Sequence, residues 1–390
     1  MNNLPKIAYT FSRSLLRLAV KRVNHQPAHT STRRGYFAVD QCLLHEFEDF
    51  MRSLIQETYA GLYCEVGDFY IDPVRRVSRA VITHAHGDHA RAGSGKYLTS
   101  KEGRRVLRTR LGPSANIDTL AFGETVLMNG VTVSLHPAGH ILGSAQVRVE
   151  YQGEIWVISG DYKIEPDRTC TPFEHVKCHT FVTESTFGLP VYRWPAQEYV
   201  FEDINRWWKQ CRADNVAAVI LAYSLGKAQR VIAGVDASIG PIFCHPSVEL
   251  LNQDYRATGI ELPATWLPTQ APARNDWGGV LVIAPPMVGN SAWMSRFGKT
   301  STAIVSGWAL TQGTRRARSV DVGFPLSDHA DWPGLLTAIE RSEADQILVT
   351  HGYTRPMVQW LRENGKQARE VVTKFHPDGT QRTDLLFADS

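Results

Sequence analysis

The segment VITHAHGDHARAG, residues 81–93, constrains this chain more than any other. Val81 and Ile82 read as the end of a buried strand, and His84, His86, Asp88 and His89 follow within six positions. Four polar groups crowded into one tight loop would be costly to bury without compensation. Neutral imidazole and carboxylate are good ligands for zinc, and also for manganese or iron. The alternation separates two sets, His84 with His86 and Asp88 with His89. Two neighbouring sets call for further ligands and a bridge, so the fold must bring other ligand-bearing segments to this loop.

Short apolar strands supply them. Arg79–Thr83 leads into His84, Val131–Leu135 into HPAGH and His140, Ile155–Ser159 into Gly160-Asp161, Thr180–Thr183 into Glu184, and Gln346–Thr350 into His351. Five strands that each end on such a residue predict a sheet with its site along one rim. His140, Asp161 and His351 can complete the two sets, with Asp161 as the bridging carboxylate. Asn129-Gly130 and Gln152-Gly153 read as hairpin turns, which favours an antiparallel or mixed sheet. Helices are expected over Lys101–Thr109 and Phe201–Arg212. The class is α/β, in helix-sheet-sheet-helix layers.

One stretch behaves differently. Val216–Ala222, Pro241–Cys244 and Val280–Ala284 read as buried strands, and Gly226–Ala237 and Ser247–Thr258 as helices. That alternation suits a small parallel α/β domain. It holds a single histidine, His245. We read residues 196–305 as an insertion into a domain formed by 51–195 and 306–390. Residues 1–50 form a basic extension expected to be poorly ordered; its first 34 residues carry Lys6, Arg13, Arg17, Lys21, Arg22, Arg33 and Arg34 and no acidic residue. A presequence, a nucleic-acid arm and an inert extension all fit that composition.

A net charge of +3 over 390 residues says little about partners, so local clusters matter more. From Arg75 to Arg110 ten basic residues, among them Arg91 and Lys96, face only Asp88 and Glu102. Such a belt beside a metal loop suits a phosphate chain. Arg315, Arg316 and Arg318 form a second cluster, and AYSLGKAQR places Ser224 and Lys227 at the start of a helix, where they could contact phosphate. Tyr192 and Trp194 in VYRWP suit either base stacking or core packing. Gly93-Ser94-Gly95-Lys96 fails as a phosphate loop, because Ala90 and Tyr97 stand where Gly and Ser or Thr are required. Six cysteines without CxxC spacing argue against a zinc knuckle or disulfide framework and suit a cytoplasmic chain with reduced thiols. No apolar run approaches the roughly 20 residues of a membrane helix, so no membrane partner is expected.

THAHGDHA, AGHILGS and SGDY together resemble the metallo-β-lactamase superfamily. ESTFG with Glu184, LSDHAD with His329 and VTHGY with His351, together with the insertion, resemble its β-CASP nuclease branch. Within that branch GLYCEVGDFYIDP, ESTFGLPVYRWP and AYSLGKAQR are most similar to the bacterial ligase-associated DNA exonucleases. The resemblance runs from Tyr59 to the C-terminus. It implies an αββα sandwich with an inserted α/β β-CASP domain, and two divalent ions, zinc or manganese. One ion would sit on His84, His86 and His140, the other on Asp88, His89 and His351, with Asp161 shared. Asp72 of FYIDP would orient a ligand through a hydrogen bond. The implied chemistry is two-metal hydrolysis of a phosphodiester, with His329 as general acid held by Glu184. It would leave a 5′-phosphate and a 3′-hydroxyl.

DNA under repair is the expected substrate, in functional partnership with an ATP-dependent DNA ligase and a helicase. RNA is the alternative, since histidine at the His351 position is typical of RNA-cleaving members. The insertion, Glu184 and the basic belt speak against a small-molecule metallohydrolase. A non-catalytic scaffold ranks last, because every ligand position is filled.

Overall fold

A computed structural model describes residues 53–271, 276–289, 291–310 and 320–371. The expected basic extension and Arg315, Arg316 and Arg318 lie outside the described residues. The described residues fall into two units that meet between Gln56 and Glu57. In the described part of the first, the Ser53 hydroxyl donates to the Ile55 carbonyl at 2.8 Å.

Strands β1 (Gln56–Thr58), β2 (Gly61–Cys64), β3 (Phe69–Ile71), β4 (Arg79–Val81), β5 (Lys96–Ser100) and β6 (Ile117–Leu120) make a six-stranded sheet in that order. It is parallel from β3 to β6, and β2 runs antiparallel to β3. Helix α1 (Arg104–Leu111) buries Val106 and Leu107 against Ala80, Ile82 and Tyr97 of this sheet. It starts later than the sequence suggests, because the Ser100 hydroxyl accepts the Gly103 amide at 3.0 Å and holds the preceding turn.

The second sheet has seven strands, β7 (Thr125–Met128), β8 (Val131–Pro137), β9 (Ala145–Tyr151), β10 (Glu154–Ile158), β11 (Thr180–Ser185), β18 (Gln346–Gly352) and β19 (Gln367–Glu370). Strands β7 to β10 form an antiparallel meander, and β11, β18 and β19 continue it in parallel. Both expected hairpins are present. Asn129 and Gly130 have φ of 48° and 87°, and Gln152 and Gly153 have 51° and 86°. Positive φ at both central residues is the mirror-image turn that matches strand twist.

The third sheet is wholly parallel. Its strands are β12 (Ala217–Leu221), β13 (Ile242–Cys244), β14 (Thr265–Trp266), β15 (Leu281–Ala284), β16 (Thr300–Val305) and β17 (Val322–Phe324). β12 reads AAVIL and is buried at every position, as a strand covered on both faces requires. Helices α2 (Gln197–Ala213) and α3 (Lys227–Gly234) cover one face, through Ile204, Trp208, Val231 and Ile232. α4 (Pro246–Ala257) joins α1 through Leu251 and Tyr255, and short α5 (Ala292–Ser295) puts Met294 on the other face. β17 lies past residue 305, where the insertion was expected to end. Its short VGF run carries no periodic signal, and only pairing with β16 defines it.

Helices α6 (Trp332–Arg341) and α7 (Thr354–Glu363) pack Trp332, Leu335, Met357 and Leu361 on Phe181, Ile347 and Val349 of the second sheet. Leu62 and Ile71 of the first sheet and Ile158 and Val182 of the second line a common cavity, so these two sheets face one another. The layers therefore run helix, sheet, sheet, helix. Among the described residues no helix is long and apolar enough to cross a membrane, and the five described cysteines are buried and free.

Candidate metal centre

The strand ends meet above the facing sheets for local reasons. The Thr83 carbonyl accepts the Ala145 amide at 2.8 Å, and the His86 carbonyl accepts the Ala90 amide at 2.8 Å. The loop is thus tied to β9 and turned back on itself. Gly160 has φ 57°, and a Cβ there would lie 2.7 Å from the Thr83 side chain. Only glycine lets β10 deliver Asp161 this close to the histidine loop.

The hydrogen bonds of three rings assign their protons. His140 Nδ1 lies 2.8 Å from the Asp328 carbonyl and His86 Nε2 lies 3.2 Å from the Leu225 carbonyl. A carbonyl only accepts, so those nitrogens carry hydrogen. The Thr83 hydroxyl donates to Asp72 and so accepts from His84 Nδ1, 3.1 Å away. The remaining nitrogens are lone-pair acceptors, and they converge: His86 Nδ1 lies 3.1 Å from both His84 Nε2 and His140 Nε2. Asp161 Oδ2 stands 3.6 Å from His84 Nε2 and 3.8 Å from His140 Nε2. Donors held at about 2.0–2.1 Å in a tetrahedral site are spaced at about 3.3 Å. This spread fits four ligands around one cation, and four facing lone pairs repel without one.

A second group adjoins it. The ligand atoms of Asp88, His89 and His351 lie within 4.8 Å of one another. His89 Nδ1 donates to Asp72 Oδ2 at 2.7 Å, which turns Nε2 inward. That atom and Asp161 Oδ1 are buried and make no hydrogen bond. His89 Nε2 is 3.6 Å from Asp161 Oδ2, so Asp161 stands between the two groups. The His351 ring stacks on His89 at 5.1 Å, from a backbone with φ 50°. A left-handed residue other than glycine costs about 1–3 kcal/mol and persists where its surroundings over-determine it.

Electrostatics agree with a cation-seeking pocket. Burial, reinforced by neighbouring imidazoles, holds His84 and His140 well below the ordinary histidine range, so both rings are neutral. Burial pushes the Asp161 carboxyl up to about 7 despite His89 beside it. Burial disfavours the charged form of His89 as well, but Asp88, Asp161 and Asp72 outweigh it and hold its pKa well above the usual value.

His329 sits next to this centre with its ring 4.6 Å from that of His140. Its Nδ1 meets both oxygens of Glu184, at 3.0 and 2.9 Å. Glu184 is fully buried and also accepts the Tyr162 amide at 2.8 Å. Burial opposes the charged form of both residues, and their mutual attraction overcomes it. It raises His329 to about 9, with help from Asp161, and lowers Glu184. The ligand-type atoms of His329 also lie near those of Asp161 with Glu184, and of His140 with Asp328.

The expected nucleic-acid residues divide. Arg91 is exposed beside the loop. Lys96 is half-exposed and pairs with Asp118 at 2.7 Å, while the Ser224 hydroxyl bonds that of Ser247 at 2.8 Å. Lys227 departs from expectation. It is buried against Asp328 at 2.9 Å, so its charge faces a carboxylate inside the protein and not a phosphate outside. The helix start in AYSLGKAQR was legible, but the burial of Lys227 was not. Tyr192 is buried, and the Trp194 indole donates to the His329 carbonyl at 2.9 Å, so VYRWP braces the His329 loop.

Sequence reasoning missed Thr83, Leu225 and Asp328, which hold the three rings. A backbone carbonyl leaves no sequence signal. Asp328 had one, its place beside His329 in LSDHAD. Replacing Asp72 with alanine should lower zinc affinity about 10–100-fold, because His89 would lose the acceptor that orients it. Zinc titration of the refolded apoprotein, with circular dichroism as a fold control, measures this.

No protein-family model matches the chain. A "Probable DNA ligase" of Opitutus terrae is 33% identical over 311 residues, 79% of this chain and 30% of that protein. An "Endoribonuclease ysh1" of Aspergillus fumigatus is 37% identical over 76 residues, 19% of this chain and 9% of that protein. The human "DNA cross-link repair 1A protein" is 27% identical over 164 residues, 40% of this chain and 16% of that protein. The chain thus spans less than a third of each of these relatives. A crystal structure of a protein of unknown function from Enterococcus faecalis V583 shares the fold, with TM-score 0.50 and 14% identity, over 75% of this chain and 78% of that one.

Proposed function

We infer that this chain is a metal-dependent nuclease of the β-CASP branch of the metallo-β-lactamase superfamily, hydrolysing phosphodiesters of DNA in the manner of ligase-associated exonucleases. The observation that carries the reading is the convergence of imidazole lone pairs and Asp161 at a point beside the His329–Glu184 pair. Relatives named for endoribonuclease activity and for DNA cross-link repair support the nuclease class. The relative named as a DNA ligase matches 79% of this chain and the endoribonuclease only 19%, which favours DNA and a functional link to ligation. In this reading the first two sheets make the metallo-β-lactamase domain, and the β-CASP domain, inserted between residue 195 and the C-terminal segment, runs past residue 305 to include β17.

His84, His86, His140 and Asp161 would hold one divalent ion, and Asp88, His89 and His351 the other, with Asp161 shared. When bound, zinc or manganese would supply Lewis acidity and ease ionisation of the attacking water. The chain's own residues do the rest. Asp72 and the Thr83 hydroxyl fix the His89 and His84 tautomers, and the Asp328 carbonyl fixes that of His140. Glu184 keeps Nδ1 of His329 engaged and its ring protonated, leaving Nε2 to deliver a proton to the departing sugar oxygen. Arg91 and the exposed arginines of α1 offer cationic contacts to the phosphate chain.

The test is cleavage of end-labelled single-stranded DNA and RNA of equal length by the zinc- or manganese-loaded chain. Faster DNA cleavage supports the reading, and faster RNA cleavage replaces it with an RNA-processing nuclease. Turnover of a thioester alone would remove both. Binding of single-stranded DNA to the chain should weaken with salt, log K falling by about 0.7 per phosphate contact for each decade of salt. A flat salt profile in a fluorescence titration would remove the cationic contacts from the account.

A further inference from the structure

Where β11 meets β18, the pairing slips. Glu184 stands opposite Thr350 and Ser185 opposite Gly352, so His351 is left over as a bulged residue. A bulge re-aims the side chain of the extra residue that it inserts into the strand. Here the bulged residue is the histidine whose ring stacks on His89, and the strand across from it carries Glu184, which grips His329.

The groups that hold the bulge belong chiefly to one residue. Ser185 is fully buried, and its hydroxyl hydrogen-bonds to the His351 carbonyl, with the Thr350 carbonyl at 3.3 Å. Its own carbonyl accepts the Tyr353 amide at 2.8 Å, closing the far side of the bulge. Gly352 has φ 79°, and a Cβ there would lie 2.3 Å from the Ser185 carbonyl oxygen. The two strands therefore approach too closely for any side chain at 352.

We propose that Ser185 is a positioning residue for the second metal site: its hydroxyl fixes the bulge that turns His351 toward Asp88 and His89. The proposal rests on the reading of the two side-chain groups as a metal pair. Its consequence is selective. The bulge residue His351 belongs to the second group, whereas His84, His86 and His140 of the first lie on other segments, so Ser185 is expected to govern occupancy of one site more than the other.

Calorimetric zinc titration of the full-length apoprotein tests this, comparing wild type, Ser185→Ala, His351→Ala and the double variant. In wild type two binding steps are expected. Ser185→Ala should leave one step unchanged and weaken the other by about 10–100-fold, and Ser185→Thr should restore it. In the double variant Ser185→Ala should add nothing to the loss already caused by His351→Ala, because both act on one site. Two wild-type steps in Ser185→Ala, or equal weakening of both, would overturn the proposal, the latter by showing a merely structural role. Should Ser185→Ala not fold, Ser185→Cys, which keeps the volume but donates weakly, is expected to show the same selective loss. If wild type itself binds no zinc, the metal reading falls first, and that failure is distinct from two unchanged steps in the variant.

Discussion

Replacing His329 with alanine is expected to slow cleavage of a DNA phosphodiester by about 10²–10⁴-fold while both metal ions stay bound. The reason is a division of labour visible in the side chains. His329 Nδ1 is engaged by both oxygens of buried Glu184, so the ring is held protonated and pointed at the centre by a partner outside both ligand groups. Removing it takes away a proton donor without taking away the lone pairs of His84, His86 and His140. The loss should depend on the leaving group. A sugar alkoxide needs a proton as it departs, whereas a nitrophenolate does not, so bis(p-nitrophenyl) phosphate should suffer far less than DNA. Parallel rates on the two substrates, with metal content from elemental analysis, make the measurement. If metal content falls with activity, His329 is a ligand, as its nearness to His140 and Asp328 allows.

Removal of the metals is expected to abolish cleavage altogether and to destabilise the chain. Without a cation, His86 Nδ1 faces two other lone pairs at 3.1 Å, and His89 Nε2 and Asp161 Oδ1 remain buried without hydrogen bonds. These unmet groups favour ligation strongly and make the empty pocket unfavourable. At free zinc a hundredfold above the dissociation constant, each site adds about 2.7 kcal/mol of stability. Thermal melts with and without chelator should therefore separate by several degrees, and zinc or manganese should restore both stability and activity. Asp161→Asn is expected to reproduce much of this loss, since its carboxylate lies 3.6 Å from both His84 and His89. An unchanged melting temperature after chelation would show that the convergence of ligands is not a metal site.

Much of this centre was legible because its parts carry local signals. Four ligand-type residues in six positions stand out in any reading of the chain, and strand ends at His140, Asp161, Glu184 and His351 are marked by the apolar runs before them. The hairpins at 129–130 and 152–153 were legible from residues that accept positive φ. The parallel third sheet was legible from continuous apolar runs such as AAVIL. Lys227 misled for the opposite reason. Its place at a helix start is a local fact, but the carboxylate that buries it lies about a hundred residues away in sequence, at Asp328.

From its sequence alone, this chain determined which residue types would end its strands and so which ligands were on offer. Residue order specifies local conformation and the chemistry each side chain carries, and those survive any arrangement of the strands. The tertiary structure alone decided which nitrogen of each ring faces inward, which lysine faces a carboxylate, and that a slipped pairing between β11 and β18 aims His351. These are properties of contacts between distant segments: a carbonyl at Asp328 or Leu225 or a hydroxyl at Ser185 acquires its role only when folding sets it within hydrogen-bond reach of a partner the local sequence does not name.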